Sequence, residues 1–136
     1  MSAAHSPWTS RPAPRTRMRV LIGEDEATSA AALVERVRAL GHDPVGPFAD
    51  GAVALAAALV EPPDAYVLAA ELPGIDGPAL AGRLQEHGLR GTVILLPVEP
   101  AALDAALTQA GASHAEQTAV ASVSALSAHR LGSQTA

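Results

Sequence analysis

Three acids in a row, Glu24, Asp25 and Glu26, follow directly on the apolar run Val20-Leu-Ile-Gly23. Carboxylates at such a place suit a hard cation such as Mg²⁺, which proteins usually hold with one or two carboxylates, water and the phosphates of a substrate. Other chemistry is scarce along the chain. The five histidines (His5, His42, His87, His114 and His129) have neither helical pairing with each other nor metal-ligand spacing. There is no cysteine, which removes disulfides, thiolate metal sites and a cysteine nucleophile. All nine basic residues are arginines, so any chemistry that requires a lysine is excluded. A Gly-rich phosphate loop, a nucleophile elbow and a Ser-His-Asp arrangement in suitable context are missing too, and the chain is not expected to be an enzyme.

The elements that must position the acids can be read in order. Residues 1–17 are rich in Ser, Pro, Ala and Arg without an apolar period, and predict a disordered tail. Residues 19–23 form a β-branched run ending in Gly, as a buried parallel strand does. Residues 27–40 carry apolar positions at helical spacing, and Gly41 supplies a stop. A short strand over 43–48 and a helix over 52–60 repeat the unit, and Pro62-Pro63 ends it. Next come an apolar strand over 65–70, a turn-rich loop over 72–77, a helix over 78–87 and a strand over 92–96. A helix over 100–110, closed by Gly111, leads to a fifth strand around 114–118 and a last helix over 120–131. The folded part thus spans 18–131, with 132–136 as a short tail. Strands alternating with helices imply right-handed crossovers and a parallel sheet covered on both faces, with any site at the carboxyl ends of the strands.

Several of these pieces together resemble a bacterial response-regulator receiver domain. They are Glu24-Asp25-Glu26 after the first strand, Pro63-Asp64 before the third, the loop Leu72-Pro-Gly-Ile-Asp-Gly77 and the stretch Ala110-Gly-Ala112, over about residues 18–119. For the fold, the resemblance implies a flavodoxin-like, doubly wound α/β domain whose five parallel strands run in the order 2-1-3-4-5. For the chemistry, it implies that the acidic pair holds Mg²⁺ while an aspartate ending the third strand accepts a phosphoryl group. A hydroxyl after the fourth strand and a lysine after the fifth would bind the phosphoryl oxygens.

Mapped residue by residue, the resemblance places Glu24 and Asp25 at the acidic pair, as a weak, residual Mg²⁺ site, and Ala69 at the phosphoacceptor position. A methyl group is no nucleophile. The hydroxyl position falls on Pro97, which has neither a hydroxyl nor a backbone N–H, and the lysine position falls on Thr118. The position often aromatic on the fifth strand is Ala115. Glu71, two residues beyond Ala69, is the nearest candidate for a substitute charge, although a solvated side chain is the simpler reading.

Composition agrees with a folded protein and a protein partner. Apolar residues make up 49% of the chain and charged residues 17%, too apolar for a wholly disordered chain, and only 2% are aromatic. A net charge of -5 argues against a nucleic-acid surface. No segment approaches the roughly 18 apolar residues of a membrane span, so the expected location is the cytoplasm. The expectation is a phosphorylation-independent receiver-like module, monomeric or weakly dimeric, that binds a kinase, an output protein or a second copy. A phosphorelay receiver using Glu71, Asp25 or Glu24 as substitute phosphoacceptor is the alternative.

Overall fold

The structure is a computed structural model that describes residues 17–115. In chain order it contains β1 (Arg19–Gly23), α1 (Ala27–Ala39), β2 (Asp43–Phe48), α2 (Gly51–Val60), β3 (Ala65–Ala69), α3 (Gly77–Glu86) and β4 (Thr92–Leu96). A further helix, α4, covers residues 100–115. The strands form one sheet in the order β2-β1-β3-β4, and every pairing is parallel. The expected α/β class and the strand order 2-1-3-4 are both present.

Local chemistry explains each element. β1 and β3 are the central strands, and Val20, Leu21, Ile22 and Ala65 to Leu68 are all buried. Strands covered on both faces read as continuous apolar runs, without alternation. β2 contains Pro44 and Pro47, which a strand tolerates at the edge of a sheet, where missing N–H donors break no ladder. Helices α1, α2 and α3 start at acidic caps. Glu26 accepts from the amides of Thr28 and Ser29, Asp50 from Ala52 and Val53, and Asp76 from Ala79. Each carboxylate satisfies amide donors that the first turn leaves unpaired.

The core lies in two layers. Val20, Ile22, Val67 and Ile94 pack on one face of the sheet with Leu33 and Val37 of α1 and with Leu103, Leu107 and Ala110 of α4. Leu21, Tyr66 and Leu68 pack on the other face with Ala54 and Ala58 of α2 and with Leu80 and Leu84 of α3. An ion pair joins the helices of the first layer, with Arg36 Nη1 donating to both carboxylate oxygens of Asp104 at 2.8 and 2.7 Å.

The last part of the chain departs from the expectation. Gly111 does not close the helix; α4 runs through it to residue 115, and His114 and Ala115, expected to open a fifth strand, are helical. Gly111 is buried beside Ala110, so it acts as a small residue in a packed helix face and not as a C-terminal stop. The rest of the expected strand, including Thr118, and the helix over 120–131 lie outside the described residues, as does most of the N-terminal tail.

His42 ties the start of β1 to the turn after α1. Its Nδ1 accepts from the Met18 amide at 3.1 Å, and the side chain is buried. Burial pushes the imidazole pKa below its usual 6.5; Arg17 and His114 add to that, and Asp43 opposes it. The folded state therefore favours neutral His42. Its contribution is complete above about pH 6.5 and is lost as pH falls below that value toward the depressed folded pKa. His42→Gln keeps an acceptor and removes the titration, so its unfolding free energy should fall less steeply with acid in this window. Denaturant unfolding of both proteins at stepped pH checks this, and equal slopes would count against it.

Candidate functional site

Register brings the expected site residues to one edge of the sheet. Gly23 pairs with Leu68 and Ala69 pairs with Leu96. Glu24, Ala69 and Pro97 therefore stand at the carboxyl ends of three adjacent strands, β1, β3 and β4. Backbone hydrogen bonds tie the loops there to one another: the Glu24 amide donates to Phe48 O at 2.9 Å, Ala70 to Leu96 O at 3.1 Å, and Gly51 to Pro73 O at 2.8 Å. This is where open α/β sheets bind ligands.

The acids divide by role. Glu26 belongs to the helix, since its carboxylate accepts from Thr28 N at 2.8 Å, Ser29 N at 3.0 Å and Ser29 Oγ at 3.0 Å. These bonds hold its pKa below the usual carboxylate value. Glu24 is half-buried, and its Oε2 accepts from the Glu26 amide at 3.1 Å. Asp25 is exposed. Glu24 and Asp25 remain as the carboxylates that could hold a cation. One of the two carboxylates is already bonded to its own loop, Ala69 offers no side-chain oxygen, and among the described residues no three acids or histidines gather as metal ligands.

The residue expected at the acceptor position, Ala69, is apolar. Ala69 is 8% exposed and belongs to the core cluster that includes Leu72 and Leu80. Gly77 packs so closely beneath it that an added Cβ would overlap the Ala69 carbonyl oxygen. Glu71, the candidate substitute carboxylate, is exposed in the following loop. Pro97 is exposed at the end of β4.

Beside these residues lies a cleft of about 340 Å³, lined by Glu24, Ser29, Leu33, Arg36, Leu96 and Pro97 among others. Its cationic side chain, Arg36, is engaged by Asp104, so the cleft wall is mainly apolar. Sequence reasoning missed this cleft, because nothing in the helical period of α4 says which face of the sheet the helix covers. It also missed the cap role of Glu26, although an acid three residues before a Ser at a helix start is a usable signal.

No protein-family model matches the chain, and no curated protein sequence does. Solved structures do. The signal receiver domain of the response regulator NarL from Mycobacterium tuberculosis is 31% identical, with a TM-score of 0.55 over 68% of this chain and 77% of that one. The chain belongs to the response-regulator receiver family. A receiver domain of a modulated diguanylate cyclase from Desulfovibrio desulfuricans G20, described as an example of alternate folding, shares the fold. It has 24% identity and a TM-score of 0.61, covering 74% of this chain and 98% of that one. The receiver domain of sensor histidine kinase PA1611 from Pseudomonas aeruginosa PAO1, with magnesium coordinated in its active-site cleft, shares it at 20% identity. There the TM-score is 0.56, and coverage is 71% of this chain and 98% of that one. Among the described residues of this receiver, no helix is long and apolar enough to cross a membrane.

Proposed function

We propose that this receiver signals without phosphorylation, by binding a protein partner. The observation that carries the reading is Ala69, a buried methyl at the end of β3 where the family's chemistry needs a carboxylate. Two further features support it. Pro97 offers no donor after β4, and the chain has no lysine to meet a phosphoryl oxygen. Mg²⁺ binding at Glu24 and Asp25 is then about millimolar or weaker, for want of a third ligand and a phosphate.

The outer face of α2 supports binding as the mode of action. This helix contains no polar side chain, and it leaves Val53 54%, Leu59 43% and Val60 87% exposed. A surface helix normally turns polar residues to water, and a contiguous exposed apolar patch marks an interaction surface. The partner is a kinase, an output protein or a second copy of the chain, met in the cytoplasm.

Val53→Glu with Val60→Glu separates binding from folding. Both side chains are already in water, so the double variant should keep its stability within about 1 kcal/mol, at about 0.5 kcal/mol per surface change. It should also lose self-association in sedimentation and partner capture by the tagged full chain. Acetyl phosphate with Mg²⁺ should leave the intact mass and the capture of the wild type unchanged. A stoichiometric phosphoprotein would overturn the reading.

A further inference from the structure

Charged side chains line several cavities of the described residues. Glu24 and Arg36 line the cleft beside Pro97, Glu35 and Asp104 a second cavity against α1, and Asp64 and Arg90 a third at the start of β4. The groove between α3 and β4 differs from all three. No charged side chain lines it; its walls include Ala81, Leu84, Leu89 and Val93, and its polar side chains are Gln85 and Tyr66. Its volume, about 480 Å³, is that of a small-molecule site, and such sites pair apolar walls with a few polar groups.

Tyr66 supplies the second observation. It stands on β3 opposite Val93 of β4 and is 1% exposed, yet its buried hydroxyl has no hydrogen-bond partner among the described residues. A buried hydroxyl left unpaired is costly, and native structures rarely keep one. The ring meets the groove beside Gly91, where an added Cβ would come within 3.4 Å of Tyr66 Cε1. Burial, with Asp64 adding to it, pushes the phenol pKa up. The hydroxyl therefore keeps its proton at neutral pH and is a donor in want of an acceptor.

We propose that this groove binds a neutral, mainly apolar small molecule through a carbonyl oxygen that accepts a hydrogen bond from Tyr66. The ligand is neutral because a charge would lose its hydration in a groove that has no counter-charge. It carries a carbonyl because that group accepts without needing an acceptor in return. Gln85 is exposed and Leu89 half-buried at the groove, and surface side chains change rotamer fast enough to admit a ligand to the buried oxygen. None of the lining residues belongs to α2 or to the edge formed by Glu24, Ala69 and Pro97, so occupancy of the groove is separate from both.

Acetophenone and ethylbenzene test this on the full chain, since they share a ring and a size and differ in the carbonyl. Acetophenone should give saturable shifts of the Ala81, Leu84, Leu89 and Val93 methyl signals. Ethylbenzene should bind about three- to tenfold more weakly, the worth of one hydrogen bond. Tyr66→Phe should weaken acetophenone alone and bring the two affinities together. Without ligand, this variant should unfold at no lower urea than the wild type, because it deletes an unpaired group. Gly82 lines the groove with nothing within 4 Å of an added Cβ, so Gly82→Leu should fold and weaken acetophenone by adding bulk to the wall. The proposal is overturned by an absence of saturable shifts, or by shifts confined to Val53 and Leu59 of α2. Equal affinities in the wild type, or a Tyr66→Phe variant that is less stable, would overturn it as well, the latter by showing that the hydroxyl is already paired within the chain.

Discussion

Ala69→Asp, which restores the carboxylate at the end of β3, should neither accept a phosphoryl group from acetyl phosphate nor be neutral for folding. The position is 8% exposed and packed in the cluster with Leu72 and Leu80. A carboxyl group there is desolvated, and it stands one strand away from Glu24. Both effects disfavour the charged form, and the variant should lose about 1–3 kcal/mol at neutral pH. Since the introduced carboxyl has a raised folded pKa, the loss should shrink as pH falls through that pKa toward the unfolded value. Phosphorylation is expected to fail for separate reasons. Arg36 is held by Asp104, Pro97 has no donor and no lysine exists to take the family's role. Intact mass after acetyl phosphate and Mg²⁺, together with urea unfolding, reads both effects. Ready phosphorylation of this variant would mean that the surrounding site is still competent.

The second large effect is at the start of α2. Helix propensity alone makes Gly51→Ala a gain of up to about 1 kcal/mol. The structure reverses the sign. An added Cβ at Gly51 would overlap the Ile75 carbonyl oxygen, in the loop whose Pro73 carbonyl accepts from the Gly51 amide. The loop cannot retreat without breaking that bond and disturbing Asp50, which lies against Gly74 and caps the helix. The expected loss is about 3 kcal/mol, the upper end for overpacking. As a reference, Ala56→Gly on the exposed side of the same helix should cost about 1 kcal/mol by propensity alone. Chemical denaturation orders the three proteins, and a stabilised Gly51→Ala would show that the β3–α3 loop does not lie where it is described.

How far the sequence reveals this molecule depends on the range of the interaction concerned. The central strands are legible because burial on both faces leaves unbroken runs such as Ala65 to Ala69, and β2 because Pro44 and Pro47 leave it only an edge. The convergence of Glu24, Ala69 and Pro97 is legible as well, because strand order and parallel register follow from alternating elements. Gly111 was misleading: glycine ends helices that meet solvent, but here it is buried in a helix face with Ala110, and only the sheet beneath it decides. The side of the sheet taken by α4 is equally hidden, since Leu103, Leu107 and Ala110 form a stripe that would suit either layer. Among the acids, type alone does not separate Glu26, bound to its own helix, from Asp25 in solvent. The Tyr66 hydroxyl, without a partner among the described residues, has no sequence signature at all.

The proposed phosphorylation-independent mode requires that the edge formed by Glu24, Asp25 and Ala69 performs no receiver phosphochemistry. Backbone NMR during a titration with Mg²⁺ and beryllofluoride, which together mimic an aspartyl phosphate, addresses it most directly. Mg²⁺ alone should give at most small, unsaturated shifts near Glu24 and Asp25, and beryllofluoride should add none at Ala69 or in the loop from Pro97 to Pro100. Saturable shifts at those positions on adding beryllofluoride would contradict it, and would show that a substitute carboxylate has rebuilt the site.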